Sequence, residues 1–587
     1  MRILSDFLSM QKRIQRRNRG RIGGIILEKR AQHSDIVRTM QEISNQSTKT
    51  QQTNNQTNKQ SNTTQKSLMT SGISLSILTL FSRVLGLIRE QTKARFLGTS
   101  GYADAFAFAF MIPNLCRRLF AENAVSVAFI PTFKKYLDDD SAEGKKAARE
   151  FVAAMCTIVS FMTALVVIAG MFVTPLIVRL LYKSADDALL AETTLLTRIM
   201  FPYLFVISVA AFFQGILNAL KIFAPSGFTP ILFNSIVIIA TYILAPHTAN
   251  PARAMSVGVI AGGAVQALFQ MPFVLKKGWL CGFTSVKKAF ANPGTKKVIA
   301  LIGPTVIGMA AYQLNDLVSS GLAGRAGKGI LSSLQYSLRL QELILGVFAV
   351  SIGTIILPDL SSLARKKDWD SFSKMLSQAI KIIALITIPI SFYSFLTGRS
   401  IISLVYQRRS FTEESVQLTL EAFKFHIAGL FFIAANRIIA PAFYAQGNTK
   451  SPTIAGMLGF AANIAIALAL VGAMKGGGIA LALTIASLVN TVFLFVFLRK
   501  SHNINVGSVV RSTILYAVKM CVLSAIASLP LIFFGKKIAA LFCTGNHLID
   551  EGGYLAVTAL LFGAIGIASL FLTNDPLIKM IVKKVKR

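Results

Sequence analysis

Arginines recur inside segments of this chain that are otherwise apolar enough to lie in a bilayer. Arg83 and Arg89 stand in one such segment, Arg117 and Arg118 in the next, and Arg339 in a later one. A charge at bilayer depth costs roughly 2.5–3.5 kcal/mol on insertion scales, so an intramembrane arginine is by default a functional residue. The guanidinium is planar, permanently charged and able to grip a phosphate through two parallel hydrogen bonds. Several of them facing one cavity suit a ligand with several negative charges, a pyrophosphate better than any cation.

The neighbours of these arginines are polar too. Asn114 and Arg117 are three residues apart, one turn along the same helix face, beside Pro113, which frees a backbone carbonyl. Arg118 points elsewhere on that helix. Asp104 opens the segment near its outer end, and Glu122 follows the Arg117–Arg118 pair closely enough to hold one guanidinium in place. Arg339 and Glu342 repeat the three-residue spacing, with Ser332 and Ser333 two turns earlier. Asp316 is poised either to bind a cation or to neutralise an arginine. No acid pair with His or Lys, no phosphate-cradling Gly-rich loop and no nucleophile with a base accompanies them, so the chemistry is binding and not catalysis.

The elements that must position these residues follow from composition. Of 587 residues 53% are hydrophobic and only 15% charged, with a mean hydropathy of +0.58; a soluble domain carries about 25% charged residues. The pattern predicts an all-α polytopic membrane protein, since backbone groups in lipid must be satisfied within helices. Fourteen spans are expected, at about 69–95, 103–133, 151–174, 190–218, 227–246, 254–275, 297–323, 330–358, 377–398, 418–446, 452–474, 477–498, 512–535 and 553–574. Lysine and arginine crowd the even-numbered connections and the C-terminal tail, which predicts that those connections and both termini are cytoplasmic. The net charge of +35 is therefore read as orientation and lipid contact, not nucleic-acid binding.

An internal echo divides the body. Ala211–Asn234 and Ala440–Asn463 each run from an aromatic pair through Gly and Asn to a Pro that opens the next span, then to a further Asn. Two pseudo-symmetric six-helix lobes would place these joints in equivalent positions, as in many transporters with a midplane site. The predicted divisions are a basic, Gln/Asn/Ser/Thr-rich extension without a core (1–67), a first lobe (68–290), a second lobe (291–505), two additional transmembrane helices (506–576) and a basic tail (577–587). Five cysteines read as free apolar residues, five histidines lack metal-ligand spacing, and Gly476 to Gly478 read as a turn.

FSRVLGLIRE (Phe81 to Glu90), the Asp104-Ala-Phe that follows, PNLCRRLFAENAVSVAFIP (Pro113 to Pro131), SLRLQELILGVFAVSIGTIILPDLS (Ser337 to Ser361) and FYA at Phe443 to Ala445 together resemble the signature of the MurJ (MviN) lipid II flippases, over roughly residues 70 to 575. That resemblance implies a member of the multidrug/oligosaccharidyl-lipid/polysaccharide exporter superfamily, with two six-helix lobes around a cationic cavity. The implied activity moves lipid II, the undecaprenyl-diphosphate-linked disaccharide-pentapeptide, to the outer leaflet of the bacterial cytoplasmic membrane for peptidoglycan assembly. By motif position the implied substrate-binding residues are Arg83, Arg89, Asn114, Arg117, Ser332 and Arg339. Asp104, Glu122 and Glu342 are implied supporting charges, and spans thirteen and fourteen a groove for the polyprenyl tail. The implied partners are lipid II, membrane lipids and proteins of cell-wall synthesis and division.

The sequence also departs from the family pattern. Leu338 stands where an acid often precedes the span-eight arginine, the resemblance aligns Ser319 with an aspartate of a proposed sodium site, and Ala467 replaces an acid four residues after Asn463. No cofactor is expected, and coupling to a monovalent cation or to the membrane potential stays open. Two rival readings also fit the sequence: an exporter of another polyprenyl-linked glycan or a drug, and a non-transporting scaffold of the cell-wall machinery.

Overall fold

The computed structural model describes residues 78–118, 128–182, 186–279, 282–500 and 504–585, and among them no strand occurs. The 1–67 extension and Glu122 lie outside the described residues. The first lobe contains α1 (78–97), α2 (Gly101–Cys116), α3 (Ile130–Leu137), α4 (Ala142–Leu181), α5 (Asp187–Met200), α6 (Pro202–Ala219), α7 (Ala224–Leu244) and α8 (Pro251–Lys276). A short α9 (Val286–Ala291) leads into the second lobe. That lobe holds α10 (Pro293–Ala326), α11 (Ile330–Arg365), α12 (Trp369–Tyr406), α13 (Glu413–Ala428), α14 (Leu430–Tyr444) and α15 (Lys450–Lys500). The chain ends with α16 (Val506–Ala540), α17 (His547–Leu572) and α18 (Pro576–Val585).

Local chemistry starts these helices where the sequence changes character. Ser100, Ser141, Asp186, Asn250, Asn292, Asp368, Asn505 and Asn546 each accept a hydrogen bond from a backbone N–H of the helix they precede, satisfying donors that have no intrahelical partner. Pro251 and Pro293 follow their caps directly, at the position where a missing N–H costs nothing.

The helices fall on all fourteen predicted spans. Among the described residues, eight helices are long and apolar enough to cross a membrane by length and composition, or nine with the α13–α14 pair, which bends by 45°. Within α15, Lys475 takes φ 44° and ψ −122°, so this element is two helices meeting at a break, immediately before Gly476 to Gly478. Arg83 and Arg89 lie on α1, Arg117 and Arg118 directly after α2, Asp316 on α10 and Arg339 on α11.

The repeat read from the sequence has a structural counterpart. The α6–α7 joint reverses through Lys221 (φ 61°) and the α14–α15 joint through Gly447 (φ 72°). Beyond the joints, Asn234 of α7 donates to the Ser82 carbonyl of α1 at 3.3 Å. Asn463 of α15 donates to Asn315 Oδ1 and Ser319 Oγ of α10 at 2.8 and 3.1 Å. In each lobe the asparagine of the fifth span thus ties it to the first. The added pair, α16 and α17, pack on each other and on α12.

Candidate functional site

The site is assembled where α1 and α2 of the first lobe face α10, α11, α14 and α15 of the second. α1 and α11 cross closely, and the crossing is reciprocal. The Arg83 side chain of α1 lies over Gly346 of α11, while the Arg339 side chain of α11 lies over Gly86 of α1. A Cβ on either glycine would collide with the guanidinium above it.

Beside this crossing lies a cavity of about 690 Å³ whose lining includes Arg89, Glu90, Lys93, Asn114, Arg118, Asp316, Arg339, Glu342 and Arg437. Most of its charges are paired. Arg89 and Lys93 both meet Glu90 at 2.9 Å, Arg339 meets Glu342 at 3.3 Å, and Arg118 reaches Asp316 at 4.0 Å. Arg118 also donates to Gln313 Oε1 at 3.4 Å. Arg339 Nε is buried and has no hydrogen-bond partner among the described residues. Such pairing keeps cations tolerable in a low-dielectric wall while leaving them able to exchange an acid for a ligand phosphate.

One end of the cavity is sealed. Asp104, 1% exposed, accepts from the backbone N–H of Gly329 at 2.6 Å and of Ser332 at 2.7 Å. These belong to the N-terminus of α11, so a carboxylate from one lobe caps a helix of the other, where orphan donors and the helix dipole favour an anion. Gly329 takes φ 82°, and a Cβ there would strike the Thr99 carbonyl; the turn admits only glycine. Tyr336 donates to the Gly98 carbonyl at 2.9 Å, Thr99 Oγ1 and Ser415 Oγ share a hydrogen bond of 2.8 Å, and Ile330, Leu331 and Leu334 join the apolar core of the first lobe. Lys93 links this seal to the cavity: its Nζ donates to Gln335 Oε1 at 3.1 Å and stands 4.5 Å over the Tyr336 ring.

The residues singled out in the sequence therefore separate into three places. Arg89, Asn114, Arg339 and Glu342 line the cavity. Arg83 is at the α1–α11 crossing, and Arg117 Nε donates to Asn114 Oδ1 at 2.9 Å; neither is among the lining residues. Asp104 and Ser332 are in the seal, the Ser332 hydroxyl donating to the Gly329 carbonyl at 3.2 Å. Glu90, Lys93 and Arg437 line the cavity without having been singled out. The signal was present, since each is a charge inside a predicted span.

Asn315, Ser319 and Asn463 form a neutral amide–hydroxyl cluster, with the apolar Ala467 fully buried one turn beyond Asn463.

The family model described as lipid II flippase MurJ matches residues 93–550. The chain belongs to the lipid II flippase MurJ family. Among relatives, the probable lipid II flippase MurJ of Treponema pallidum is 46% identical over 515 residues, covering 87% of this chain and 97% of that protein. The lipid II flippase MurJ of Burkholderia cenocepacia is 32% identical over 443 residues, covering 73% and 83%. A solved structure titled lipid II flippase MurJ, inward closed conformation, superposes with a TM-score of 0.70 at 25% identity, over 86% of this chain and all of that one. An inward-facing MATE family transporter of the MOP superfamily shares the fold at 13% identity, with a TM-score of 0.59 over 73% and 96%. MurJ family membership and this fold make the chain an integral membrane transporter and not an enzyme.

Proposed function

We propose that this protein is a lipid II flippase that carries the undecaprenyl-diphosphate-linked peptidoglycan precursor from the inner to the outer leaflet of the bacterial cytoplasmic membrane. The observation that carries the reading is the inter-lobe cavity in which Arg89 of one lobe and Arg339 of the other are each held by an acid, with the Arg339 Nε unpartnered among the described residues.

The mechanism follows from the charges. Lys/Arg-rich even connections support cytoplasmic termini, which puts the Asp104–α11 seal at the outer end of the bundle. A head group entering from the inside presents its diphosphate to Arg89 and Arg339. Phosphate oxygens replace Glu90 and Glu342 as their partners, drawing the two lobes onto one ligand. Opening outward then requires Asp104 to leave Gly329 and Ser332, and the lobes to pivot as rigid bodies. The polyprenyl tail stays in lipid along the two added helices, whose outward side chains include Phe533 (72% exposed) and Leu560 (75% exposed). Membrane lipids are the other partners of these faces. With a neutral cluster at Asn463, the membrane potential acting on the loaded cavity is the coupling source we favour.

Arg89→Ala and Arg339→Ala, produced in cells depleted of their own lipid II flippase, test this. Both should reach the membrane at parental abundance yet expose less than about a tenth of the parental lipid II at the outer leaflet, the scale of one lost charge-assisted contact. Parental exposure by both variants would refute the cavity mechanism.

A further inference from the structure

Arg437 differs from the other cations of the cavity. Arg89, Lys93, Arg118 and Arg339 each have an acid within 4.0 Å. Arg437, exposed on α14 and lining the same cavity, has no ion pair among the described residues. The lining that α14 and α15 contribute, which includes Asn436, Asn463, Ser487 and Asn490, contains no Asp or Glu. A cation kept inside a membrane bundle without an internal counter-ion is a binding residue by default.

Apart from Arg437, the side chains that α14 and α15 bring to the cavity are uncharged. The adjacent Asn436 is fixed at both ends, donating to the Ser487 carbonyl at 3.0 Å and accepting from Thr491 Oγ1 at 2.8 Å. Asn490, one residue before Thr491, also lines the cavity and packs against Gly459, where a Cβ would lie 3.2 Å from its own. The two halves of α15 thereby bring amides to the same cavity that Arg437 lines. A diphosphate is better matched by Arg89 and Arg339 with their exchangeable acids. One guanidinium beside neutral amide dipoles matches a single carboxylate flanked by peptide N–H and C=O groups.

We propose that Arg437, with Asn436 and Asn490 lining the same cavity, is a second-lobe subsite for a carboxylate on the peptide of the transported head group. The proposal rests on the flippase reading and adds a determinant of which head groups are accepted.

The test uses the purified full chain and two ligands: lipid II, and lipid II whose peptide carboxylates have been converted to primary amides. The unmodified chain should bind the carboxylate form about tenfold more tightly, the scale of one hydrogen-bonded charge contact. In Arg437→Gln that ratio should fall to about one, and Arg437→Lys should retain most of it. Equal weakening of both ligands in Arg437→Gln would overturn the proposal, because the residue would then serve the diphosphate or the fold. Absence of discrimination by the unmodified chain would overturn it as well. If the folded, unmodified chain binds neither ligand, the flippase reading itself falls, and the subsite with it.

Discussion

Gly329 has no side chain with which to cap α11, and its backbone N–H and that of Ser332 are taken by Asp104 from the opposite lobe. Hydrogen bonds to a charged group contribute about 1.5–3 kcal/mol each. Asp104→Asn keeps the size and one acceptor but loses the charge and the second acceptor. In a background without the native cysteines, a thiol placed at the fully buried Ser333 should then react about ten times faster with a membrane-impermeant reagent added outside. An unchanged rate would mean that the capping carboxylate does not hold the seal. The same scale shows why some of the site was legible and some was not. Arg83 and Arg117 were readable because a mid-span arginine has few cheap explanations, whereas Arg89 and Arg339 lie closer to helix ends, where a long cation can also reach the headgroups. The three-residue spacing put Asn114 and Arg117 on one face, but only the fold shows that Arg117 directs a donor at Asn114. Arg437 is as deep in its span as Arg339, but no acid or asparagine at a three-residue spacing in the sequence marks it as part of a site, and only the fold brings it to the cavity.

Between elements, the decisive contacts join residues more than two hundred positions apart, and no spacing rule reaches that far. Hydropathy located α1 and α11 as spans and charge marked them as special, but neither shows that Gly86 and Gly346 are where the two helices touch. The crossing makes a sharp prediction. Gly86→Leu should displace the Arg339 side chain and Gly346→Leu that of Arg83, each costing roughly 1–3 kcal/mol of overpacking. Both should lower the thermal midpoint of the purified protein, and Gly86→Leu should in addition weaken lipid II binding by disturbing Arg339. Full binding and a parental midpoint in Gly86→Leu would show that the guanidinium has room to spare. The joints between spans four and five and between ten and eleven were the part of the element scale most open to sequence reading. Their Gly, Asn and Pro positions have local causes, and the two asparagines beyond them make equivalent ties in the two lobes.

For the whole molecule, the fourteen-span architecture followed from composition alone, because lipid leaves the backbone no alternative to helices. The basic extension before residue 68 has too little apolar material for a core, and the contacts that define the cavity and the seal all lie between Lys93 and Asn490 or in α1. A chain restarted at Met69 should therefore rescue cells depleted of their own flippase as well as the full chain does. Failure of that truncation, at normal membrane abundance, would favour the view that basic tails recruiting other proteins are the essential activity.

The paired arginine-over-glycine contacts also restrict how the lobes move. A slide of one turn, about 5.4 Å, would bring Ser82 or Glu90 to the place of Gly86, and Glu342 to the place of Gly346, under guanidinium groups that now rest on bare backbone. Rotation about the contact point needs no such exchange of bulk. The α1–α11 crossing therefore works as a fulcrum: it leaves the lobes free to tilt while denying them translation, so that whatever opens one end of the cavity must narrow the other.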